Sequence, residues 1–283
     1  MSFQQYQIGS RIGQDLTVIS AFETNDDRHP VYLAWDHRSW CPVVCKIFRN
    51  DAKAEQEYAI LSRVAHPNIV RPLGTYRPAI LLLEYLEGKT LQDYLADEPE
   101  GRLSVSDAVR TIFHIGAALE RVHREGYVHL DLKPSNIMIV GGTPKLFDFG
   151  TARRIGGGRP PVVQGTDAYM APEECSLGEV SPASDIFSLG VILFELVTGE
   201  LPFAEGTDTL PYPQLSCEPA CARAYGVAAP LWHLIKRCLA RDPAQRPAMA
   251  ELLPELHAFI EDGTPMLPEA VMACAESAQV LAA

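Results

Sequence analysis

The chain has 283 residues, 47% hydrophobic and 21% charged, an ordinary globular composition long enough for one large domain or two lobes. Its 24 basic and 36 acidic residues leave a net charge of −12, which argues against a nucleic-acid or anionic-membrane surface as the main partner; it would favour basic protein substrates, though an acidic balance more often just keeps a protein soluble. The seven cysteines, at 41, 45, 175, 217, 221, 238 and 274, form no Cys-x-x-Cys and no zinc spacing with histidine, so reduced thiols in a cytoplasmic setting are expected.

In chain order, residues 16–22 and 31–35 are rich in β-formers, with a turn at 24–28 between them. Residues 42–48 predict a third strand, which carries Lys46. Residues 51–64 predict a helix, with Ala54, Tyr58, Leu61 and Ala65 at helical spacing and Glu57 among them, broken by His66-Pro67-Asn68. Strands at 73–76 and 80–85 complete a small antiparallel sheet. After Glu87-Gly88-Lys89 the pattern turns helical. Ser106-Asp107 caps a long helix running to about 125, with a stripe of Ile112, Ile115, Gly116, Leu119 and Val122. Further helices are predicted at 182–198, 230–239 and 249–261. There is no internal repeat, no charged leader before an apolar core and no apolar run of membrane-spanning length; Glu195 interrupts the strongest one, 190–197. Lysine is scarce, six against eighteen arginines, which fits a bacterial origin.

The chemistry concentrates in His129-Leu130-Asp131-Leu132-Lys133-Pro134-Ser135-Asn136, followed twelve residues later by Asp148-Phe149-Gly150. This spacing suits a metal-bound triphosphate held against a hydroxyl nucleophile. Asp131 would orient or accept the hydroxyl proton, and Lys133 would offer a point charge to the transferring phosphoryl group. Asn136 and Asp148 would ligate Mg²⁺, a hard cation that prefers oxygen. Any one of these is a common turn or cap residue; the set together is poorly explained that way. The segment resembles the catalytic loop and DFG motif of protein kinases, reading HLD where most members read HRD.

The resemblance covers roughly residues 6–260 and implies an α+β, bilobal protein-kinase-like fold. The small β-rich lobe would span 1–86, the larger helical lobe 87–263 and a tail 264–283. Val43-Val44-Cys45-Lys46 looks like the family's VAIK strand, so Lys46 would bind the ATP phosphates, paired with Glu57. The plain alternative for Glu57 is a solvated helix face shared with Glu55. Leu83 would be the gatekeeper and the backbone of Glu84 and Leu86 would meet the adenine, with Val31, Val44 and Met138 as apolar walls. Ordinary core is the alternative for these. Ala171-Pro172-Glu173 and Gly165-Thr166 resemble the end of an activation segment, Asp185 the buried aspartate supporting the catalytic loop, and Arg246 the partner of Glu173. The last three features distinguish protein kinases from small-molecule kinases, and Lys133-Pro134 points to serine/threonine acceptors. The resemblance therefore implies an ATP- and Mg²⁺-dependent serine/threonine protein kinase acting on protein hydroxyls.

Two places depart from the pattern. Val31 stands fifteen residues before Lys46, so the phosphate-loop tip falls at 24–30, without glycine and with Asp26 and Asp27. Gly9 and Gly13 offer another alignment that needs extra residues before the second strand. Leu130 replaces the arginine that in the family receives an activation-segment phosphate. From Asp148 to Glu173 the only hydroxyls are Thr151, Thr166 and Tyr169, and 155–164 has none. Activity independent of activation-segment phosphorylation is the expectation. A pseudokinase or scaffold is the second reading, favoured by the bare loop tip, and a small-molecule kinase the third. The apolar tail, without a basic residue, is expected to dock on the larger lobe or bind a partner.

Overall fold

The structure is a computed structural model that describes residues 6–22, 29–76, 79–159, 162–163 and 165–260. The expectations for the turn at 24–28, including Asp26 and Asp27, and for the tail at 264–283 lie outside the described residues. The chain begins with β1 (Arg11–Ile12), β2 (Leu16–Phe22), β3 (Val31–Asp36), β4 (Cys41–Ile47), α1 (Asp51–Arg63), β5 (Pro72–Thr75) and β6 (Ile80–Glu84). The strands form one six-stranded sheet in the order β1-β2-β3-β4-β6-β5, every neighbouring pair antiparallel.

Register assigns the two faces of this sheet. Val31 lies opposite Lys46 and Leu33 opposite Val44, while Val44 and Lys46 in turn face Leu83 and Leu81. Directly opposed residues share a face and strand side chains alternate, so these six lie on one side. The alternate set, Tyr32, Ala34, Val43, Cys45 and Ile47, joins Ile12, Leu16, Val18 and Ile80 in a separate small core on the other side. Phe22 pairs with Val31, so the β2–β3 connection runs through 23–30 and contains no glycine, while Gly9 and Gly13 both precede β2. Asn50 caps α1 by accepting from the Lys53 N–H at 3.1 Å, and the helix buries Ala54, Glu57, Ile60 and Leu61.

The rest of the chain is mainly helical. It comprises β7 (Lys89–Thr90), α2 (Leu91–Asp97), α3 (Val105–Arg124), β8 (Tyr127–Val128), β9 (Ile137–Val140), β10 (Thr143–Leu146), β11 (Arg153–Arg154), α4 (Pro172–Cys175), α5 (Pro182–Thr198), α6 (Ala229–Cys238) and α7 (Met249–Ala258). The two-lobed α+β arrangement is the one expected. Helix α5 is its axis: fourteen of its seventeen residues are buried, so it is a core helix rather than an amphipathic one. Ser181 and Pro182 start it and Gly199, at φ +78°, ends it in the left-handed conformation that glycine adopts without strain. Helices α3 and α6 pack against it, and α7 packs on α3.

Two differences from the sequence reading have physical causes. Helix α3 begins at Val105 because Ser104 is the cap: its hydroxyl accepts from the Asp107 N–H at 3.1 Å and donates to the Asp107 carboxylate at 2.6 Å. The short strands β7 to β11 were not foreseen. At two to four residues each they show almost no alternation, and only pairing with distant partners, such as Arg153 with Val128, makes them strands.

Gly190 lets α5 and α6 approach closely, since a Cβ there would lie 2.7 Å from Cys238 Cβ. Gly190→Ala should therefore force the helices apart and lower unfolding stability by about 1–3 kcal/mol, measured by urea denaturation at neutral pH.

Candidate active site

Strand β4 and helix α1 bring Lys46 and Glu57 together beneath the sheet. Lys46 Nζ donates to both Glu57 oxygens, at 2.9 and 2.8 Å, and to Asp148 Oδ1 at 2.7 Å. Lys46 and Glu57 are buried, and Lys46 Nζ also sits 5.3 Å from the Phe48 ring centroid. Burial works against the Lys46 charge, but Asp148 and Glu57 outweigh it and hold the ammonium above the usual lysine range. Burial pushes the Glu57 carboxyl up, with Lys46 pulling against it. Asp148 goes the other way: burial would raise it, yet Lys46 and the Gly150 N–H hold it well below the ordinary carboxylate range. Its backbone has φ +63°, a conformation held by this network.

The loop between β8 and β9 carries Asp131, Lys133 and Asn136. It is fastened from below by Asp185 in α5, which is fully buried. Asp185 Oδ2 accepts from the His129 N–H at 3.0 Å and meets His123 Nε2 at 2.7 Å, while Oδ1 accepts from the Leu130 N–H at 3.0 Å. These two backbone bonds hold Leu130 at φ +64°, a left-handed geometry costing a non-glycine residue roughly 1–2 kcal/mol. Burial lowers the proton affinity of His129, whose ring packs edge-on against Phe149 at 4.8 Å. Its Nδ1 accepts from the Asp131 N–H at 3.4 Å, so the imidazole supports the turn as well as packing under it.

Above that floor the reactive side chains converge. Asn136 Nδ2 donates to Asp131 O at 2.8 Å and Oδ2 at 3.0 Å. Lys133 Nζ lies 3.1 Å from Asp131 Oδ2 and donates to Thr166 Oγ1 at 2.7 Å, and the Thr166 hydroxyl donates to Asp131 Oδ1 at 3.2 Å. With Nδ2 of Asn136 engaged, its carbonyl oxygen is available to a cation; with Oδ1 of Asp148 engaged, Oδ2 is. Among the described residues no three His, Cys, Asp or Glu side chains converge as a metal site. Two protein oxygens fit Mg²⁺, which takes its remaining ligands from phosphate and water.

The segment after Thr166 is anchored by a buried ion pair. Arg246 meets Glu173 in a two-pronged contact, at 2.7 and 2.8 Å, and donates to the carbonyls of Ala183, Ala240 and Arg241. Its guanidinium lies 5.0 Å from the Phe187 ring centroid, and the Ser184 hydroxyl donates to Glu173 at 2.7 Å.

Val31, Val44 and Leu83 lie on the same sheet face as Lys46, and Met138 pairs with Thr90 and Lys145 at the top of the second lobe. Glu84 and Leu86 follow Leu83 at the join, where Glu84 Oε1 takes Lys145 Nζ at 2.7 Å and the Arg71 N–H at 2.9 Å. A cavity of about 460 Å³, lined by Phe113, Leu253, Pro254, His257 and Ala258, lies apart from all of these groups. Sequence reasoning missed the bridging role of Thr166, the link from His123 to Asp185, and the Tyr169 hydroxyl that donates to Glu195 at 2.8 Å. Only Glu195, an acid inside an apolar run, carried a local signal.

Residues 30–258 match the protein kinase domain family. Serine/threonine-protein kinase PkaA of Streptomyces coelicolor is 36% identical over 217 residues, covering 73% of this chain and 39% of the relative. Serine/threonine-protein kinase PknB of Mycobacterium tuberculosis is 31% identical over 276 residues, 89% of this chain and 44% of the relative. Serine/threonine-protein kinase PrkC of Bacillus subtilis is 32% identical over 239 residues, 78% of this chain and 37% of the relative. The chain thus spans about two fifths of the length of these relatives.

Two measurements probe the site's electrostatics. The Arg246 side chain is 0% exposed, so Glu173→Ala should leave a buried, unpaired cation and cost about 3–5 kcal/mol, read as a fall in Tm. Asp148 titrates lower folded than unfolded, so its contribution should be complete above about pH 4 and lost as pH falls through the folded value. The stability gap between the unaltered protein and Asp148→Asn, followed by urea unfolding, should therefore shrink on acidification below pH ~4.

Proposed function

The chain belongs to the protein kinase family, and from that premise we propose that it is a serine/threonine protein kinase transferring the γ-phosphoryl group of Mg-ATP to protein hydroxyls. The observation that carries the reading is the convergence of Asp131, Lys133 and Asn136 opposite a Lys46 already paired with Glu57 and Asp148. Asp131 holds two oxygens toward the site, one already accepting from a threonine hydroxyl at 3.2 Å. An acceptor serine or threonine would place its hydroxyl in the same way, and its proton would pass to Asp131 as the oxygen bonds phosphorus. Lys133 would offset charge on the transferring group and Lys46 would hold the inner phosphates. Asn136 and Asp148 would hold Mg²⁺, which neutralises phosphate charge when bound. The adenine would lie between Val31, Val44 and Met138, beside Leu83, with its edge on the backbone of Glu84 and Leu86.

The activity is proposed to run without activation-segment phosphorylation. Leu130 packs into a buried cluster with Val128 and Val180, an apolar group where a phosphate would need a cation. A cytoplasmic setting suits ATP chemistry and the described cysteines, all free; no helix among the described residues is long and apolar enough to cross a membrane. The glycine-free β2–β3 connection favours a second reading, a scaffold with weak or no transfer.

Labelled ATP, Mg²⁺ and a basic protein substrate, with and without prior phosphatase treatment, test these points beside Asp131→Asn. Transfer should fall by about 10²–10⁴-fold in the variant and be unchanged by the phosphatase. Equal background in both proteins would favour the scaffold, transfer to metabolites alone a small-molecule kinase. Loss of activity on dephosphorylation would refute the switch-free reading.

A further inference from the structure

Thr166 lies beside the aspartate proposed to receive the acceptor proton, its hydroxyl bridging Lys133 and Asp131. The next residue, Asp167, is exposed and forms no ion pair among the described residues. Its backbone is nevertheless held on several sides. The buried Gln214 side chain donates to Asp167 O at 2.7 Å and to Met170 O at 3.1 Å. The Tyr169 N–H closes the turn onto Thr166 O at 2.8 Å, and Ser188 of α5 donates to Tyr169 O at 2.8 Å. Tyr212, two residues before Gln214, completes the surroundings. Its hydroxyl is pushed up by burial and by the charge of Asp167. An unneutralised carboxylate thus stands on a fixed turn, one residue from the contact with Asp131.

We propose that Asp167 is a specificity-determining residue that selects a lysine or arginine flanking the acceptor, so that the substrates are basic serine- or threonine-containing segments. This rests on the kinase reading and names the substrate class for that site. A basic neighbour gains the carboxylate, and an acidic one meets like charge. The chain's net charge of −12 acts in the same direction at longer range.

The test uses the full chain with three peptides that differ only at the two positions flanking one serine, carrying arginine, leucine or glutamate. The arginine peptide should exceed the glutamate peptide in kcat/KM by about tenfold, mainly through KM, and the ratio should shrink at high salt. In Asp167→Asn the ratio should fall toward one, and in Asp167→Arg it should invert. Equal use of the three peptides by the unaltered protein would overturn the proposal and leave the kinase reading intact. So would a ratio that substitution of Asp167 leaves unchanged, which would assign the preference to the overall negative charge instead. Failure to phosphorylate any peptide would overturn both. Asp167 is exposed and both Asp167→Asn and Asp167→Arg report on it independently, so the proposal stays testable even if one variant fails to fold.

Discussion

A carboxylate sealed inside the larger lobe holds the reactive loop in place. Asp185 is fully buried, a position that by itself favours the neutral acid, yet its hydrogen bonds and the nearby His123 and His129 keep its proton affinity below the ordinary value. The bonds to the backbone of His129 and Leu130 fix the turn that presents Asp131. A buried charge satisfied in this way admits few alternative geometries, because each lost bond would leave a polar group dry. The central helix that carries Asp185 is packed on nearly every side, so the loop inherits the rigidity of the core.

The second constraint joins the lobes. Lys46 comes from the sheet, Glu57 from the helix beside it and Asp148 from beyond the 129–136 loop, and where the three meet one ammonium is shared by two carboxylates. Buried ion pairs are poor stabilisers compared with apolar packing, so their worth here lies in geometry. They align Lys46 of the sheet with Asp148 across the join. Leu130 adds an apolar tie to the same loop, completing a small cluster with Val128 and Val180.

Much of this was legible in the sequence. Asp131, Lys133, Asn136 and Asp148 lie within eighteen consecutive residues, and phosphoryl-transfer chemistry demands those types at that spacing. The extents of helices α1 and α5 and of the strands around Lys46 follow from local residue patterning, while their caps, Asn50, Ser181 and Gly199, emerged with the structure. The ties from Lys46 to Glu57 and from Arg246 to Glu173 followed from family resemblance, since nothing local pairs residues so far apart. The short strands β7 to β11 and the true cap of α3 were missed because two-residue elements and neighbouring serines carry little pattern of their own.

The sequence alone determined the residue types, their spacing and the elements that carry them, because those depend on neighbours along the chain. Only the tertiary structure decided which polar groups meet. Lys46 reaches Asp148 across 102 positions, Gln214 reaches Asp167 across 47, and His123 reaches Asp185 across 62. Whether a histidine is a surface cation or a buried support, or an aspartate a sealed anchor or an exposed turn residue, depends on what folds against it. That is set by the packing of the core around α5, not by any local run of residues.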